Sequence, residues 1–570
     1  MTQVAKYFSI LLVLLLPAAM SSNGQEPFDL DEVKVVAPYE PTISDAFKIM
    51  LNPVIKDTLD IQLSFNYIIP SKKLITSFEV EPITPARMRG EPLAKLYRGL
   101  AKGGYGSYST PYFEGFFNSL RSNNHQYGVR LKHLSSGGNI PDHGHSAYSD
   151  NLANIYGQRF LGRYTLDADL KYERNVVHYY GFKPDDYEGN LFMENYLDSL
   201  TNKDIRQKFD QVSSSFGFGT NHGDSARAHH QYDIGYHWLS DDYNASEHHA
   251  FLKGFFGREI EADPFGMADK QYFSLNADAT FFNLKNQLDT TNTSVISIQP
   301  KLWSQFDRFQ FYIGVNAAME LDTTSYFRAY PLIGTEVNII PNRLVAFANI
   351  TGGVEKQSMS TLRTINPFME TSSDYQFMNV RSDIGGGIRG ALGEIIGYSL
   401  TLNRAIINNH PFFVNDTSAL LNNRFAIVYD DISRFSMRAE LMAKFGERFS
   451  GRVTASLFQY GMTDEKEAWH TPSNVLSAHL KYNIQNKIIL TSDVFTRSET
   501  YGRLFDESGE AFASIAHPFH VDINIGIEYR YTKLLSVFLN FHNVSNTSIE
   551  RWMNYPTQGF NFLGGIAYSF

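Results

Sequence analysis

From Tyr97 onward, polar and apolar residues alternate along the chain with a period of two, not with the 3.6-residue period of a helix. The segment from Phe519 to Tyr531 is the clearest case, because its odd-numbered residues are apolar or aromatic and its even-numbered residues are polar, charged or glycine. Successive side chains of a β-strand point to opposite faces, so such a segment predicts a strand with one apolar and one polar face. The other segments with this pattern are residues 166–173, 273–281 and 435–441.

The length of these segments distinguishes a membrane barrel from a soluble β-sandwich, whose strands also alternate. Here the alternation continues for about 9 to 13 residues, near the roughly 9–11 residues of a tilted membrane strand and above the usual 5–6 of a globular one. Phe519 and Tyr531 stand at the ends of their segment, where a membrane barrel carries its aromatic girdles. We therefore expect an all-β fold, a large antiparallel transmembrane β-barrel of about 16–22 strands, with 22 favoured.

The connections between the segments are of two kinds, as expected when one rim of a barrel faces the periplasm and the other faces the outside. The predicted tight turns are 121–124, 341–342, 446–448, 485–487 and 532–533. The predicted long polar loops are 135–150, 183–205, 354–375, 461–472, 499–517 and 544–557. Around residues 406–433 the regular succession of short and long connections fails, so the strands there cannot be delimited from the pattern.

The amino-terminal residues 1–24 have the features of a secretory signal peptide. Lys6 precedes an apolar run from Phe8 to Leu16, and small residues follow that run. The apolar stretch contains Pro17 and is shorter than the roughly 20 residues of a membrane-spanning helix, and no later run reaches that length. Signal-peptide cleavage and export are therefore expected.

The amino-acid composition excludes several further classes of function. The chain has 570 residues, 33 Tyr, 44 Phe, 41 Gly and no Cys, which fits a barrel with aromatic girdles and argues against disulfides and thiolate metal sites. The formal net charge of −10 offers no basic surface for nucleic acid. The expected location is the cell outer membrane, and the expected partners are outer-membrane lipid and the barrel assembly machinery.

The two ends of the predicted barrel resemble a known family. The tail from His542 to Asn546, with Tyr555-Pro556, Gly559 and an aromatic final strand, resembles the last hairpin of TonB-dependent receptors. That strand, from Phe560 to Phe570, carries on one face Phe562, Gly564, Ile566, Tyr568 and Phe570. In this resemblance Tyr568 and Phe570 form the signal that the assembly machinery reads, and residues Gly103 to Tyr112 form the first barrel strand.

A third point of resemblance lies near the expected mature amino terminus. The run Leu30, Asp31, Glu32, Val33, Lys34, Val35, Val36 and Ala37 is similar to a TonB box. In that family the box pairs as an added strand with the energy-coupling protein TonB, through main-chain hydrogen bonds. An ordinary extended linker would have the same composition.

The chain departs from the family between this run and the barrel. Only residues 38–99 separate the two, whereas a receptor plug domain is much longer, and seven prolines in this stretch favour irregular chain. The predicted organisation is a signal peptide over 1–24, a periplasmic or luminal segment over 25–96 that includes any reduced plug, and the barrel over 97–570. The barrel therefore resembles a TonB-dependent receptor that lacks a full-length plug.

A group of histidines could form a metal site, but the geometry of a β-strand disfavours it. His residues at 229, 230, 237, 248 and 249, with His143 and His145 earlier, could meet across a hairpin near residues 240–242. Neighbouring histidines of one strand point to opposite faces and cannot chelate together. We predict no metal site.

No arrangement of residues predicts an enzyme or a cofactor site. The carboxylates of Asp167, Asp169, Asp278, Asp522 and Glu528 fall on the predicted lumen face, where they are a normal lining. No catalytic triad spacing or phosphate loop accompanies them. The glycine clusters at 352–353 and 385–387 indicate close packing within strands.

Two classes of function remain. The first is a receptor or transport barrel that binds or passes a solute across the outer membrane, which the size of the barrel favours. The second is a structural or assembly platform for other envelope proteins. The substrate cannot be read from the loops.

Overall fold

The fold was established from a computed structural model, which describes residues 96–570 except 222–227, 261–267, 288, 373 and 506–510. The predicted signal peptide, the TonB-box-like run and the segment up to residue 95 lie outside the described residues. Within the described ranges, no helix is long and apolar enough to span a membrane.

The described chain is built almost entirely of β-strands. Their bounds are β1 (Gly99–Gly106), β2 (Thr110–Asn118), β3 (His125–Ser136), β4 (Tyr148–Leu161), β5 (Tyr164–His178), β6 (Arg206–Thr220), β7 (His229–Ser240), β8 (Ser246–Ile260), β9 (Lys270–Lys285), β10 (Thr290–Phe306), β11 (Phe309–Leu321), β12 (Ser325–Ile340), β13 (Leu344–Lys356), β14 (Phe377–Leu392), β15 (Ile396–Asn415), β16 (Phe425–Phe445), β17 (Phe449–Gly461), β18 (Asn474–Ile484), β19 (Ile488–Arg497), β20 (Thr500–Phe505), β21 (Ala511–His517), β22 (His520–Arg530), β23 (Leu535–His542), β24 (Glu550–Trp552), β25 (Tyr555–Pro556) and β26 (Asn561–Ser569). Two α-helices, α1 (Leu191–Ser199) and α2 (Met359–Ile365), and a 3₁₀-helix at Pro184–Tyr187 lie in the described loops.

Twenty-two of these strands form one closed antiparallel barrel, which confirms the favoured strand number. Each strand pairs with its neighbour in sequence, and β1 closes the barrel by pairing with β26 from Leu100↔Ser569 to Gly106↔Leu563. The pairs β20–β21 and β24–β25 stay outside the barrel as loop hairpins. Closure leaves no unpaired strand edge, which is the condition for a sheet to lie in hydrocarbon.

The two rims differ as the sequence predicted. All five predicted tight turns join barrel strands at one rim, which also holds Phe570 at the end of β26, and the six predicted long loops lie at the opposite rim. Asparagines at positive φ, such as Asn342 at 58° and Asn486 at 56°, allow the chain to reverse sharply at the turn rim. We call the other end of the barrel the long-loop rim.

The regular succession of short and long connections fails around residues 406–433 for a simple structural reason. Strands β15 and β16 are 20 and 21 residues long, so they extend well past the length that a bilayer requires. A register shift between Ile407 and His410, with Asn409 at a φ of 57°, also interrupts the period of two. The extra length carries both strands into the loop region, where the alternation of lipid and lumen faces no longer applies.

One strand prediction was wrong. Residues Gly103 to Tyr112 do not form a single first strand but a hairpin, in which β1 ends at Gly106 and β2 begins at Thr110. Tyr108 and Ser109 turn the chain with φ of 56° and 51°, and Thr110 donates its hydroxyl hydrogen to the Ser107 carbonyl at 2.6 Å. Small residues and tyrosines occur both in the strands and in the turn, so composition alone could not reveal the turn.

The strands place apolar residues outside and polar residues inside. On β22, Ile525, Ile527 and Tyr529 are exposed on the outer face, while Asp522 and Asn524 face the lumen beside the loops. Phe519 and Tyr531, at the ends of this strand, are 60% and 63% exposed, as an interfacial girdle requires. The alternating segments therefore have the orientation that the sequence predicted.

The outer face can be tested by paired arginine substitutions at the middle of β10. Ile298 is exposed on the outer face, whereas the adjacent Ser297 faces the lumen opposite Asp278. We expect Ile298→Arg to lower the free energy of unfolding by roughly 2–4 kcal/mol, because it moves a charge into hydrocarbon. Ser297→Arg should be tolerated, and equal losses in urea unfolding from liposomes would contradict the assignment of the two faces.

Candidate functional site

The connection between β13 and β14, residues 357–376, folds into the lumen, and we call it the inner loop. Met359, Leu362 and Met369 are 0% exposed, and they pack with Phe209 and Phe425 in one hydrophobic cluster. Met359 and Leu362 are one helical turn apart on α2, so they share the face that packs against the barrel wall. The predicted loop 354–375 is therefore not an exposed polar loop but the centre of a core inside the barrel.

The start of α2 is held by a buried carboxylate of the barrel wall. Glu247 of β8 is 3% exposed and accepts hydrogen bonds from the backbone N–H groups of Met359 at 2.7 Å and Ser360 at 3.4 Å. Ser358 caps the same end, because its hydroxyl accepts from the Thr361 N–H at 3.2 Å. A carboxylate stabilises the positive end of the helix dipole, so Glu247 anchors the inner loop.

The other side of the inner loop is held to β5 and β6. Arg363 donates to the amide oxygens of Asn175 at 3.0 Å and Gln211 at 2.5 Å. Its guanidinium also lies 5.2 Å from the centre of the Phe209 ring, a favourable cation–π distance. Burial lowers the pKa of Arg363 from its usual range, although nearby carboxylates act in the opposite direction.

The end of the inner loop joins strand β16. Phe425 donates its N–H to the Phe368 carbonyl at 3.1 Å, and Glu370 donates its N–H to the Phe425 carbonyl at 2.7 Å. The side chain of Glu370 pairs with Arg424 at 2.7 Å. The inner loop is thus fixed at three places, by β8, by β5 and β6, and by β16.

Three loops meet in a stack of aromatic rings on the inner loop. The rings of Phe368 and Tyr555 are stacked with their centres 3.9 Å apart, and the ring of Tyr180 meets Tyr555 edge-on at 4.8 Å. The Tyr180 hydroxyl donates to the Pro556 carbonyl at 2.9 Å. This stack connects loop 179–205, the inner loop and loop 543–560, which we call the last loop.

Asn543 organises the last loop. Its backbone has a φ of 48°, and its side-chain amide donates to the carbonyls of Thr547 at 2.8 Å and Gln558 at 3.1 Å. The family-like turn at 543–546 therefore has a structural role in this chain.

A buried histidine joins the last loop to loop 462–473. His470 Nδ1 lies 3.0 Å from the Phe413 carbonyl, and Nε2 accepts from the Met553 N–H at 3.3 Å. Burial lowers the pKa of His470 to about 3, so the ring stays neutral and keeps both hydrogen bonds at ordinary pH.

The inner loop does not fill the barrel. A cavity of about 1420 Å³ remains between it and the barrel wall around the closing seam. The wall residues come from the ends of β4, β5 and β6 on one side and of β18, β19, β22, β23 and β26 on the other, and the last loop completes the lining. The cavity thus lies among the long loops.

The lining of this cavity combines apolar side chains with polar and charged ones. Arg363, Arg497 and Arg551 face it together with histidines, asparagines and the carboxylates of Asp150 and Asp522. Such convergent polar groups orient a ligand by hydrogen bonds and charge, not by apolar contact alone. We take this cavity as the candidate functional site.

The predicted histidine patch divides between the two faces of the wall. His237 and His249 do meet across β7 and β8, with ring centres 5.1 Å apart, and His249 also stacks on Phe282 at 4.4 Å. His248 lies on the other face, where its Nδ1 is 2.6 Å from the Tyr236 hydroxyl. No group of three potential metal ligands occurs in the part of the chain that the structure describes.

The other histidines of the patch also contact their local surroundings. His230 packs against Tyr164 and Phe218, with ring centres 5.9 and 5.6 Å away. His143 and His145 lie in loop 137–147, where Nδ1 of His143 is 2.7 Å from the Pro141 carbonyl. His229 lies at the start of β7, near the turn rim. Loop 137–147 lies at the opposite, long-loop rim.

Tyr568 and Phe570 lie on the outer face at the closing seam. They are 47% and 53% exposed, and their rings stack at 6.3 Å. Phe570 exchanges two backbone hydrogen bonds of 2.9 Å with Gly99. A Cβ atom at Gly99 would lie 2.2 Å from the Phe570 ring, so only glycine lets this ring cover the first strand.

Sequence reasoning missed Glu247, Arg363 and the inward course of the inner loop. Residues Met359, Leu362 and Met369 were the available signal, because buried apolar residues at helical spacing do not suit an exposed loop. The barrel residues that contact them come from strands distant in sequence, such as Phe209 and Phe425, and no local pattern identifies such partners.

The comparisons with known proteins place the fold. No protein-family model matches the chain, and no curated protein matches its sequence. The pyoverdine outer-membrane receptor FpvA of Pseudomonas aeruginosa matches with a TM-score of 0.63 and 10% identity, over 84% of this chain and 79% of that chain. The siderophore receptor PirA of Acinetobacter baumannii matches with a TM-score of 0.61 and 9% identity, over 84% and 81%.

The ferric-catecholate import receptor Fiu of E. coli K12 gives a similar result, with a TM-score of 0.62 and 10% identity over 84% and 82% of the two chains. These three proteins are named as receptors, and none of the three is named as an enzyme. The chain therefore has the barrel fold of such receptors, as the resemblance of its two ends predicted. The predicted lack of a full-length plug concerns residues outside the described ranges.

The anchoring of the inner loop by Glu247 can be tested by amide hydrogen exchange. Glu247→Ala leaves the N–H groups of Met359 and Ser360 without their acceptor inside the protein, a loss of about 1–3 kcal/mol. We expect exchange in residues 357–376 to accelerate roughly tenfold or more while the barrel strands stay protected. Glu247→Gln keeps an oxygen acceptor and should have a smaller effect, so identical exchange in the wild type and in Glu247→Ala would contradict the anchor.

Proposed function

We propose that the protein is an outer-membrane receptor that binds a solute in the cavity beside the inner loop and passes it across the membrane. The observation that carries this proposal is the cavity of about 1420 Å³ among the long loops, whose mixed lining includes several charged groups. The barrel fold shared with outer-membrane receptors supports the same reading. The long-loop rim then faces the outside, and the turn rim with Phe570 faces the periplasm.

The inner loop defines how such a receptor would handle its solute. Because the loop is tied to β8, β5, β6 and β16, it separates the cavity from the opposite sector of the barrel. A solute in the cavity contacts the inner loop through Arg363 and Phe368 and the last loop through Arg551. Binding and release are thus linked to the two loops that form the cavity wall.

The amino-terminal residues are also assigned roles in this receptor. We assign residues 1–24 to a cleaved signal peptide, 25–96 to a periplasmic or luminal segment, and 97–570 to the barrel. Residues Leu30 to Ala37 serve as the coupling segment that pairs with TonB as an added strand, which needs accessible main-chain donors and acceptors more than particular side chains.

Assembly is the role proposed for the last residues of the chain. Tyr568 and Phe570 act as the signal that the barrel assembly machinery reads before the barrel closes. The exposure of both rings on the outer face supports this role, because an assembly protein outside the sheet could contact them.

A platform for other envelope proteins is the second candidate function. Helix α1 in loop 179–205 exposes Leu191 and Phe192, which are 75% and 68% exposed at the long-loop rim. An apolar pair on a loop helix suits a contact with another protein. Substitution of both residues should disrupt co-purification with partners if this candidate is correct, and should leave solute binding unchanged.

The receptor function can be tested by filling the cavity. The double variant Asn524→Trp with Asn561→Trp places two indoles among the lining residues, whereas Ile525→Trp with Phe562→Trp places them on the outer face of the same strands. The purified full chain in detergent is incubated with a small-molecule extract of the growth medium, and retained compounds are identified by mass spectrometry. We expect the lumen variant to lose retention at least tenfold and the outer variant to keep it.

Both variants must run as heat-modifiable bands, which shows that the barrel is closed. Retention of no compound by the wild type, or equal retention by both variants, would remove the support for a receptor with its site in this cavity.

The coupling segment can be tested with proline. Val35→Pro removes a backbone donor and fixes φ, so it should abolish uptake of a retained solute, whereas Val35→Thr should spare uptake. Both variants should reach the outer membrane at wild-type levels, because the change precedes the barrel by some sixty residues. Normal uptake after deletion of residues 30–37 would show that no coupling occurs through this segment.

A further inference from the structure

Three arginines of the cavity wall have no carboxylate partner. Arg363, Arg497 and Arg551 line the cavity. Within the described residues none of them forms an ion pair, whereas Arg424 pairs with Glu370 at 2.7 Å and Arg389 with Glu336 at 2.8 Å. A partly buried guanidinium without an ion-pair partner is costly, so Arg363 and Arg497, which are both partly buried, require an explanation.

The partners that these arginines do have are neutral. Arg363 is held by the amide oxygens of Asn175 and Gln211, and its Nε is buried without a hydrogen-bond partner. Arg497 donates from Nη2 to the His470 carbonyl at 2.7 Å, and its Nε is also buried without a partner. Neutral oxygens fix the direction of both guanidinium groups, and no described carboxylate lies within ion-pair distance of either one.

Arg551 belongs to the last loop and adds to the same positive region. It lies next to Trp552, with the guanidinium carbon 5.4 Å from the ring centre. The residue is exposed, so its guanidinium is accessible from the cavity. A guanidinium remains protonated in proteins, so the positive charge persists in the cavity.

The carboxylates of the cavity form no ion pair with these three groups. Glu173 pairs with Lys171 at 2.8 Å, and Asp150 accepts from the Asn175 amide at 2.9 Å. Asp522 forms no ion pair with the arginines, and its Oδ1 is buried without a partner. The three arginines therefore remain available to an external anion.

The arginines also stand on different parts of the wall. Arg363 contacts β5 and β6, whereas Arg497 ends β19. The strands between them around the seam are β1 to β4, β22, β23 and β26. An anion that meets both sides of the cavity must carry more than one acidic group along its length.

We propose that the cavity selects an elongated solute with several acidic groups, which bridges Arg363 on one wall and Arg497 with Arg551 on the other. This inference rests on the proposed receptor function and names its substrate class. The volume of about 1420 Å³ agrees with it, since it exceeds the roughly 300–1,000 Å³ of ordinary small-molecule sites. Carboxylates and phosphates share the chemistry that arginine recognises, because both accept paired N–H donors.

The test uses defined anions on the purified full chain in detergent. Hexaglutamate represents a carboxylate solute, tripolyphosphate represents a phosphate solute, and hexalysine is the charge-reversed control. Titration calorimetry measures affinity, and the fluorescence of Trp552, beside Arg551, reports binding in the cavity. We expect at least one of the two anions to bind, hexalysine to fail, and affinity to fall as salt rises from 50 to 500 mM, because salt screens charge.

Substitutions then assign the binding to the three arginines. Arg363→Gln, Arg497→Gln and Arg551→Gln should each weaken the anion roughly tenfold or more, the usual effect of losing a hydrogen bond to a charged group. Arg389→Gln is the matched control, because it removes an arginine that pairs with Glu336 near the turn rim. The control should bind as the wild type does.

The outcomes separate this inference from the proposed function. Failure of both anions, tighter binding of hexalysine, or equal loss in Arg389→Gln and the cavity variants would overturn the anionic class. If the wild type still retains a neutral or cationic compound that the cavity-filling variant loses, the receptor function stands and only the substrate class is wrong. If nothing is retained and no anion binds, both fail.

Discussion

The closure of the sheet is the constraint on which the rest of this structure depends. Backbone N–H and C=O groups in hydrocarbon must be paired within the protein, and the pairing of β1 with β26 leaves none of the barrel strands with an open edge. At this seam Phe570 and Gly99 exchange backbone hydrogen bonds while the aromatic ring covers the glycine. Because closure is complete, the lumen face is free to carry charges, and loops can fold into it.

The inner loop and the barrel wall together enclose a defined compartment. A buried carboxylate, Glu247, satisfies the start of α2, and an apolar cluster around Met359 and Phe425 holds the loop against the wall. The hydrogen bonds to Glu247 fix the orientation of α2, and burial of the apolar cluster contributes most of the stabilisation of the inner loop. Together they confine the inner loop to one sector, and the remaining sector forms the cavity.

The cavity wall brings together arginines that form no ion pair within the described residues. Arg363 and Arg497 are oriented by neutral oxygens, so their geometry is fixed although neither forms an ion pair with a described residue. Such preorganised donors are favourable for binding because little ordering remains to be done when a ligand arrives. The same two loops that form the cavity wall are joined through Phe368 and Tyr555, which couples their positions.

The sequence by itself determined the barrel, its favoured number of strands, the two kinds of rim and the outward face of segments such as 519–531. These features follow from a period of two and from turn residues. Both signals lie in residues that are close together in the sequence. Only the tertiary structure decided that residues 103–112 form a hairpin, that β15 and β16 extend beyond the membrane length, and that the inner loop enters the lumen. Glu247 and Met359 are 112 residues apart, and Arg363 and Asn175 are 188 apart. Such contacts depend on which strands closure brings together across the lumen, and no local pattern contains that information.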